Sequence, residues 1–166
     1  MGKIDLEMRD VDLCEVVKSV VDEFGVIAAE KGIGLHASCP TGGVPLVIGD
    51  KQKLRDAVLN LVDNAIRYTD KGSVKVSVRR ESNDLVVRVE DTGPGLDADE
   101  ARTLFNSFQR GKVGRTHWAE GSGLGLYIAK EFITLHGGSI WVESPGKGLG
   151  TTFFIRIPLT GKKLAA

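Results

Sequence analysis

Two runs of alternating apolar residues, Val74/Val76/Val78 and Leu85/Val87/Val89, flank the polar tetrad Glu81-Ser82-Asn83-Asp84. Alternation with a period of two on both sides of a short polar connection predicts a hairpin or two neighbouring strands, each with one face committed to a core. A sheet that is apolar on one side must be covered by a second layer. That requirement constrains the fold more than any other feature of the chain.

The sequence supplies helices for that layer. Asp12 with Glu15 predicts a capping box, with Val11 and Val16 placed as a hydrophobic staple. The stripe Leu13, Val16, Val17, Val20, Val21, Phe24, Ile27, Ala28 then predicts an amphipathic helix stopped by Gly32. Ile33, Leu35 and Ala37 alternate as a short strand before a Pro/Gly-rich turn through Pro45. Asp50 caps a second expected helix, with its stripe at Leu54, Ala57, Val58, Leu61, Val62, Ala65 and Ile66, running to about Thr69. Asp97 with Glu100 starts a short helix carrying Leu104, Phe105 and Phe108. Leu124 to His136 forms a further helix, ended by Gly137-Gly138, and strands follow around Ile140 to Glu143 and Thr151 to Ile157. This order predicts an α/β (α+β) two-layer sandwich: a mixed β-sheet with helices on one face. Residues 1–160 read as one domain and 161–166 as a disordered tail, in part a cloning remnant.

The chain has 166 residues, 42% of them hydrophobic and 27% charged. A compact domain of that length has a radius of gyration of about 15 Å and buries about 70% of its unfolded surface, so it needs no staples. The 22 basic and 22 acidic side chains cancel, which removes the excess that drives general nucleic-acid or anionic-lipid binding. Cys14 and Cys39 have no metal spacing and are expected as small buried hydrophobes in a reducing compartment. No run approaches a membrane span and no signal-peptide core is present, so the chain as given is expected to be cytoplasmic. Of 21 glycines, 12 fall between Gly93 and Gly150. That concentration is the first pointer to a site.

Three places in the sequence carry chemistry. Asn60, Asn64 and Arg67 fall within about 60° of one another on the second helix, away from the centre of its apolar stripe, with Tyr68 between. Asparagine is a mediocre helix former, and its amide oxygen can ligate a hard cation such as Mg²⁺ together with substrate phosphates; the alternative is a solvated helix face. Asp91 has the strand parity of Val87 and Val89, so its carboxylate points to the buried side. There it needs a donor such as an adenine amino group, unless it closes the turn onto its own backbone amides. Gly93 and Gly95 let backbone approach a flat base. Gly121-Ser122-Gly123-Leu124-Gly125 precedes a helix, where free amides and the dipole favour phosphate. No strand leads into it, which excludes a dinucleotide fingerprint, and no Walker-type loop occurs. The segment from about Asn106 to Ser122, with Arg110, Lys112 and Arg115, reads as a lid over a polyphosphate or as a disordered loop. His36, His117 and His136 lack metal-ligand spacing and are read as structural or surface residues.

In order and spacing, Asn60-Leu61-Val62-Asp63-Asn64-Ala65-Ile66-Arg67-Tyr68, Asp91-Thr92-Gly93-Pro94-Gly95, Phe105-Asn106-Ser107-Phe108 and Gly121-Ser122-Gly123-Leu124-Gly125 resemble the N, G1, F and G2 boxes of sensor histidine kinases. The resemblance to that family's ATP-binding catalytic domain, within the GHKL group of gyrase, Hsp90 and MutL, covers Asp12 to Pro158. It implies a Bergerat-type fold that binds Mg²⁺ and ATP. By resemblance, Asn60 and Asn64 hold Mg²⁺ and phosphates, Arg67 reaches the phosphates, Tyr68 lies against the nucleotide, and Asp91 binds the adenine amino group in a pocket shaped by Gly93 and Gly95. Phe108 belongs to the nucleotide site, Arg110 meets the γ-phosphate, and Gly121, Ser122, Gly123, Leu124 and Gly125 form the lid hinge and phosphate turn. Thr151 or Thr152 approaches adenine through water. Arg67 stands where the family more often has lysine, and Gln109 where it has an aromatic.

The residue at position 60 separates reaction classes. Hydrolases and serine kinases resembling this group carry glutamate there, a base able to activate water or a hydroxyl. An asparagine suits phosphorylation of a neutral imidazole, whose lone pair needs no base, so Asn60 and Arg110 are the expected catalytic residues. The implied function is transfer of the γ-phosphoryl group to a histidine on a helical hairpin absent from this chain, with a response regulator downstream. The chain alone is expected to be a monomer that does not autophosphorylate. The competing readings are a nucleotide-gated interaction module and an ATP hydrolase.

Overall fold

The computed structural model describes residues 4–105 and 123–159. In chain order the elements are β1 (Arg9–Val11), α1 (Leu13–Lys31), β2 (Gly34–Ser38), β3 (Val47–Gly49), α2 (Lys51–Tyr68), β4 (Ser73–Glu81), β5 (Asp84–Asp91), α3 (Ala98–Thr103), α4 (Gly123–Leu135), β6 (Ser139–Glu143) and β7 (Thr151–Pro158). The main sheet has the order β2-β4-β5-β7-β6. Its β2–β4 pair is parallel and the others are antiparallel. This is the expected mixed sheet.

The alternating runs set the register. Val76 faces Val89 and Val78 faces Val87 across β4 and β5, and Val89, Val87 and Leu85 continue to Phe153, Ile155 and Ile157 on β7. All these side chains are buried, beneath α1, α2 and α4. On the opposite face Trp141 and Phe154 stack with centroids 4.9 Å apart. Arg88 lies over Phe154 and Arg156 over Trp141, so apolar rings on the uncovered side are shielded by cations.

Local signals account for the helix ends. Asp12 Oδ1 accepts the amides of Cys14 and Glu15, and Gly32, with φ of 79°, ends α1 in the left-handed conformation that glycine tolerates. Lys31 Nζ donates to the carbonyls of Ile66 and Arg67, satisfying the last turn of α2 from the neighbouring helix. The reciprocal capping box forms at Asp97 and Glu100. Burial and the neighbouring Cys39 thiol push the Cys14 thiol up to about 12, as suits a packing residue.

Three features depart from the sequence reading. The strands β1 and β3 pair as a separate two-stranded sheet; three residues each are too few to show a period. Ile27 is 50% exposed although it falls on the α1 stripe, because the covered arc narrows toward the helix C-terminus, where Phe24 and Ala28 take the packing. His136 is buried rather than a simple dipole partner. Its Nδ1–H donates to Phe132 O at 2.6 Å and its Nε2 accepts the amide of Asp50 at 2.9 Å, so each ring nitrogen has a partner. Asp50, so held, caps α2 and accepts the amides of Lys53 and Glu7. Burial opposes its charge, but those donors outweigh it and hold the carboxyl below its ordinary value. The tail 161–166 lies outside the described residues.

Replacing His136 with alanine leaves the Asp50 amide buried without an acceptor and opens a cavity, so His136→Ala is expected to lower unfolding free energy by about 2–4 kcal/mol in urea titrations. A loss below about 0.5 kcal/mol would contradict this role.

Candidate functional site

The covered face of the sheet ends in a cross-strand row. Val74, Asp91 and Thr151 lie in register on β4, β5 and β7, so the alternation that buries Val87 and Val89 also buries a carboxylate. Asp91 is 7% exposed. Its Oδ1 accepts the amides of Gly93 at 2.9 Å and Thr151 at 3.2 Å. Its Oδ2 is buried and has no partner. Burial pushes its pKa up to about 6, against the pull of the two amides. Keeping this group ionised at neutral pH costs on the order of 3 kcal/mol relative to an exposed aspartate.

The hydroxyls of Thr69 and Thr151 are also buried without partners. Gly93 ties these groups together. A Cβ there would lie 3.0 Å from Asp91 Oδ1, 3.0 Å from the Tyr68 carbonyl and 3.4 Å from Thr69 Oγ1, so the C-terminus of α2 and the turn after β5 meet at a point only glycine fits. Unsatisfied buried polar atoms are uncommon in folded proteins. Three occur on segments that meet at the end of β5: Asp91 itself, its cross-strand neighbour Thr151, and Thr69 beside Gly93.

The carboxamides follow on the same helix, Asn64 one turn before Tyr68 and Asn60 at mid-helix. Asn60 is half-buried, and a Cβ at Gly125 would stand 3.3 Å from its Oδ1, so the missing side chain lets the first turn of α4 approach Asn60. Asn64 is 3% exposed. The sequence reading set both amides away from the centre of the apolar stripe; Asn64 is nonetheless buried. Arg67 is exposed and donates to Asp63 Oδ2 at 2.9 Å. Tyr68 is buried. Asn60 and Tyr68 are eight residues apart, about 12 Å of helical rise, comparable to the length of an extended nucleoside triphosphate.

The structure therefore gathers Tyr68, Asp91, Gly93 and Thr151 at the C-terminal end of α2, and Asn60 with Gly125 at mid-helix. Thr152, next to Thr151, has the opposite strand parity and is half-buried. Gly123 opens α4. Phe108, Arg110, Gly121, Ser122 and the rest of the expected lid lie outside the described residues. Thr69 was missed in sequence; its one signal was its place directly after Tyr68 at a helix end. Among the described residues no group of three His, Cys, Asp or Glu side chains could hold a metal, which leaves the Asn60 and Asn64 amide oxygens as the candidate donors to a hard cation.

The raised pKa of Asp91 gives a signed prediction. The folded state binds the proton more tightly than the unfolded chain, so the contribution of Asp91 to stability falls as pH rises from about 4 through about 6. Asp91→Asn should then exceed the wild type in stability at pH 7 by up to about 3 kcal/mol, with the difference vanishing toward pH 4. Urea unfolding at both pH values tests this; a pH-independent difference would contradict it.

The description "Histidine kinase-, DNA gyrase B-, and HSP90-like ATPase" belongs to a family whose model matches residues 49–161. The sensor histidine kinase RcsC of Escherichia coli strain K12 is 34% identical over 160 residues, covering 96% of this chain and 17% of RcsC. The adaptive-response sensory kinase SasA of Crocosphaera subtropica is 33% identical, covering 95% of this chain and 41% of SasA. The chain thus spans under half the length of either relative. Among solved structures, full-length ShkA in complex with AMPPNP superposes with a TM-score of 0.81 at 28% identity, covering 95% of this chain and 32% of that one. A catalytic domain of the histidine kinase ThkA superposes with a TM-score of 0.80 at 26% identity, covering 94% and 99%. Because the family model spans well over half of the chain, this protein belongs to the histidine kinase-, DNA gyrase B- and HSP90-like ATPase family.

Proposed function

We propose that this chain binds Mg·ATP and serves as the catalytic domain of a sensor histidine kinase, donating the γ-phosphoryl group to a histidine on a separate helical hairpin. The observation that carries the reading is the buried, unpartnered Oδ2 of Asp91, which the 6-amino group of adenine would satisfy. Thr69 and Thr151 offer hydroxyls to the same base, directly or through water, with Thr152 adjacent. Gly93 and Gly95 keep the base's approach clear, and Tyr68 lies at the nucleotide's edge.

Asn60 and Asn64 would hold Mg²⁺ through their amide oxygens. The metal, when bound, neutralises charge on the phosphates. The first amides of α4, from Gly123, Leu124 and Gly125, have no intrahelical acceptor and favour phosphate; Gly121 and Ser122 lead into them. Arg67 would exchange Asp63 for a phosphate, and Arg110 with Phe108 would complete the nucleotide's enclosure. Because position 60 is an amide, no carboxylate there activates water. That favours the imidazole acceptor over hydrolysis, with catalysis by positioning and charge neutralisation.

In this reading the partners are the phosphoacceptor hairpin and, downstream, a response regulator; nucleic acid and membrane are not bound. Among the described residues no helix is long and apolar enough to cross a membrane, and we place the domain in the cytoplasm as a monomer.

Incubated with radiolabelled Mg·ATP, the chain alone should acquire no label, and adding an acceptor hairpin from a related kinase should produce label on that hairpin's histidine. Asn64→Ala should reduce nucleotide affinity at least tenfold in calorimetry while the circular dichroism spectrum stays that of the wild type. Steady phosphate release from the purified chain, or label on His36, His117 or His136, would overturn the assignment.

A further inference from the structure

The loop between β6 and β7, residues 144–150, makes contacts that its surface position does not require. Ser144 Oγ accepts the amide of Leu96 at 3.0 Å and that of Gly146 at 3.2 Å, and lies 2.7 Å from the carbonyl of Gly150, to which its hydrogen can go. One hydroxyl thereby uses both lone pairs and its proton. The two ends it joins are significant. Leu96 follows the turn that contains Gly93, and Gly150 precedes Thr151. Gly93 and Thr151 are the residues whose amides hold Asp91 Oδ1.

The same loop is fastened at two more points. The Gly148 amide donates to Pro94 O at 2.6 Å. Lys147 Nζ meets Glu100 Oε1 at 2.7 Å, the oxygen that also accepts the Asp97 amide at the start of α3. Gly95, with φ of 70°, brings its backbone so near the Gly146 carbonyl that no side chain fits between them. The loop is thus pressed against the turn after β5 along its length.

We infer that Ser144 is a positioning residue for purine selection: its hydroxyl locks the two backbone segments that grip Asp91 Oδ1 and so fixes the direction of the free Oδ2. Without it, the turn that carries Gly93 and the segment that leads into Thr151 lose the side chain that bonds to both, and the carboxylate gains freedom to rotate away from the base. The inference rests on the proposed reading that Asp91 meets the adenine amino group. It concerns the aim of the carboxylate, not its presence. The proposed triphosphate contacts at Asn60, Asn64 and the start of α4 involve none of the segments that Ser144 joins, so the defect is confined to the base.

The test compares the Mg²⁺ complexes of ATP and purine riboside triphosphate, which is ATP without the 6-amino group, by calorimetric titration of the full chain. The wild type should prefer ATP. Ser144→Ala should reduce that preference about fivefold, the effect of one misaligned hydrogen bond, chiefly by weakening ATP while affinity for the analogue stays within about twofold. Ser144→Thr, which retains the hydroxyl, should keep the wild-type preference. If Ser144→Ala does not fold, Ser144→Cys, with a weaker donor and acceptor of similar shape, carries the same comparison. Equal weakening of both nucleotides, or an unchanged preference, would overturn the inference while leaving the adenine reading intact. A wild type that binds both equally would remove that reading and the inference with it.

Discussion

A carboxylate buried at the end of a strand with one oxygen satisfied and the other bare is the constraint around which this protein is arranged. Asp91 continues the inward row of β5, so its burial follows from the alternation that makes the sheet. Two backbone amides stabilise Oδ1 but do not cancel the desolvation of the group, and its pKa stays raised at about 6. A fold selected for stability alone would place valine or another uncharged side chain there, without an unpaired charge. The cost of the unpaired oxygen is local, and in the proposed reading the amino group of adenine offsets it.

Other features serve that geometry. The close approach of Gly93 to the Tyr68 carbonyl brings the end of α2 to the acid. Lys31 secures the last carbonyls of α2, and His136 secures its first turn through Asp50. The helix that carries both asparagines is therefore held at its two ends by α1 and by the residue just after α4. In the proposed function such fixation would matter because the chemistry is positioning, and a rigid helix would keep the carboxamides and the acid at a constant separation.

Much of this was legible in the sequence because it depends on short-range periodicity. The strands with Val74–Val78 and Leu85–Val89, the caps at Asp12, Asp50 and Asp97, and the glycine stops follow from patterns within a few residues. The direction of the Asp91 side chain followed from parity with Val89. What escaped depends on contacts between distant segments. The three-residue strands β1 and β3 exist only because they pair with each other. Asn64 is buried although its helical position set it apart from the apolar stripe, and Ile27 is half exposed although its position set it on one. Thr69 and Ser144 carry no pattern of their own; their roles arise from the turn after β5 reaching them. The identity of the motifs, by contrast, lay in their order along the chain, which the match over residues 49–161 bears out.

The most direct test of the account is the titration of the Asp91 carboxyl carbon by NMR, with and without a magnesium-bound, non-hydrolysable ATP analogue. In the free protein it should titrate near 6, and with nucleotide bound its pKa should fall, because a donor to Oδ2 favours the ionised form. A free-state value near that of an exposed aspartate, or one that nucleotide leaves unmoved, would show that this carboxylate is not the recognition point.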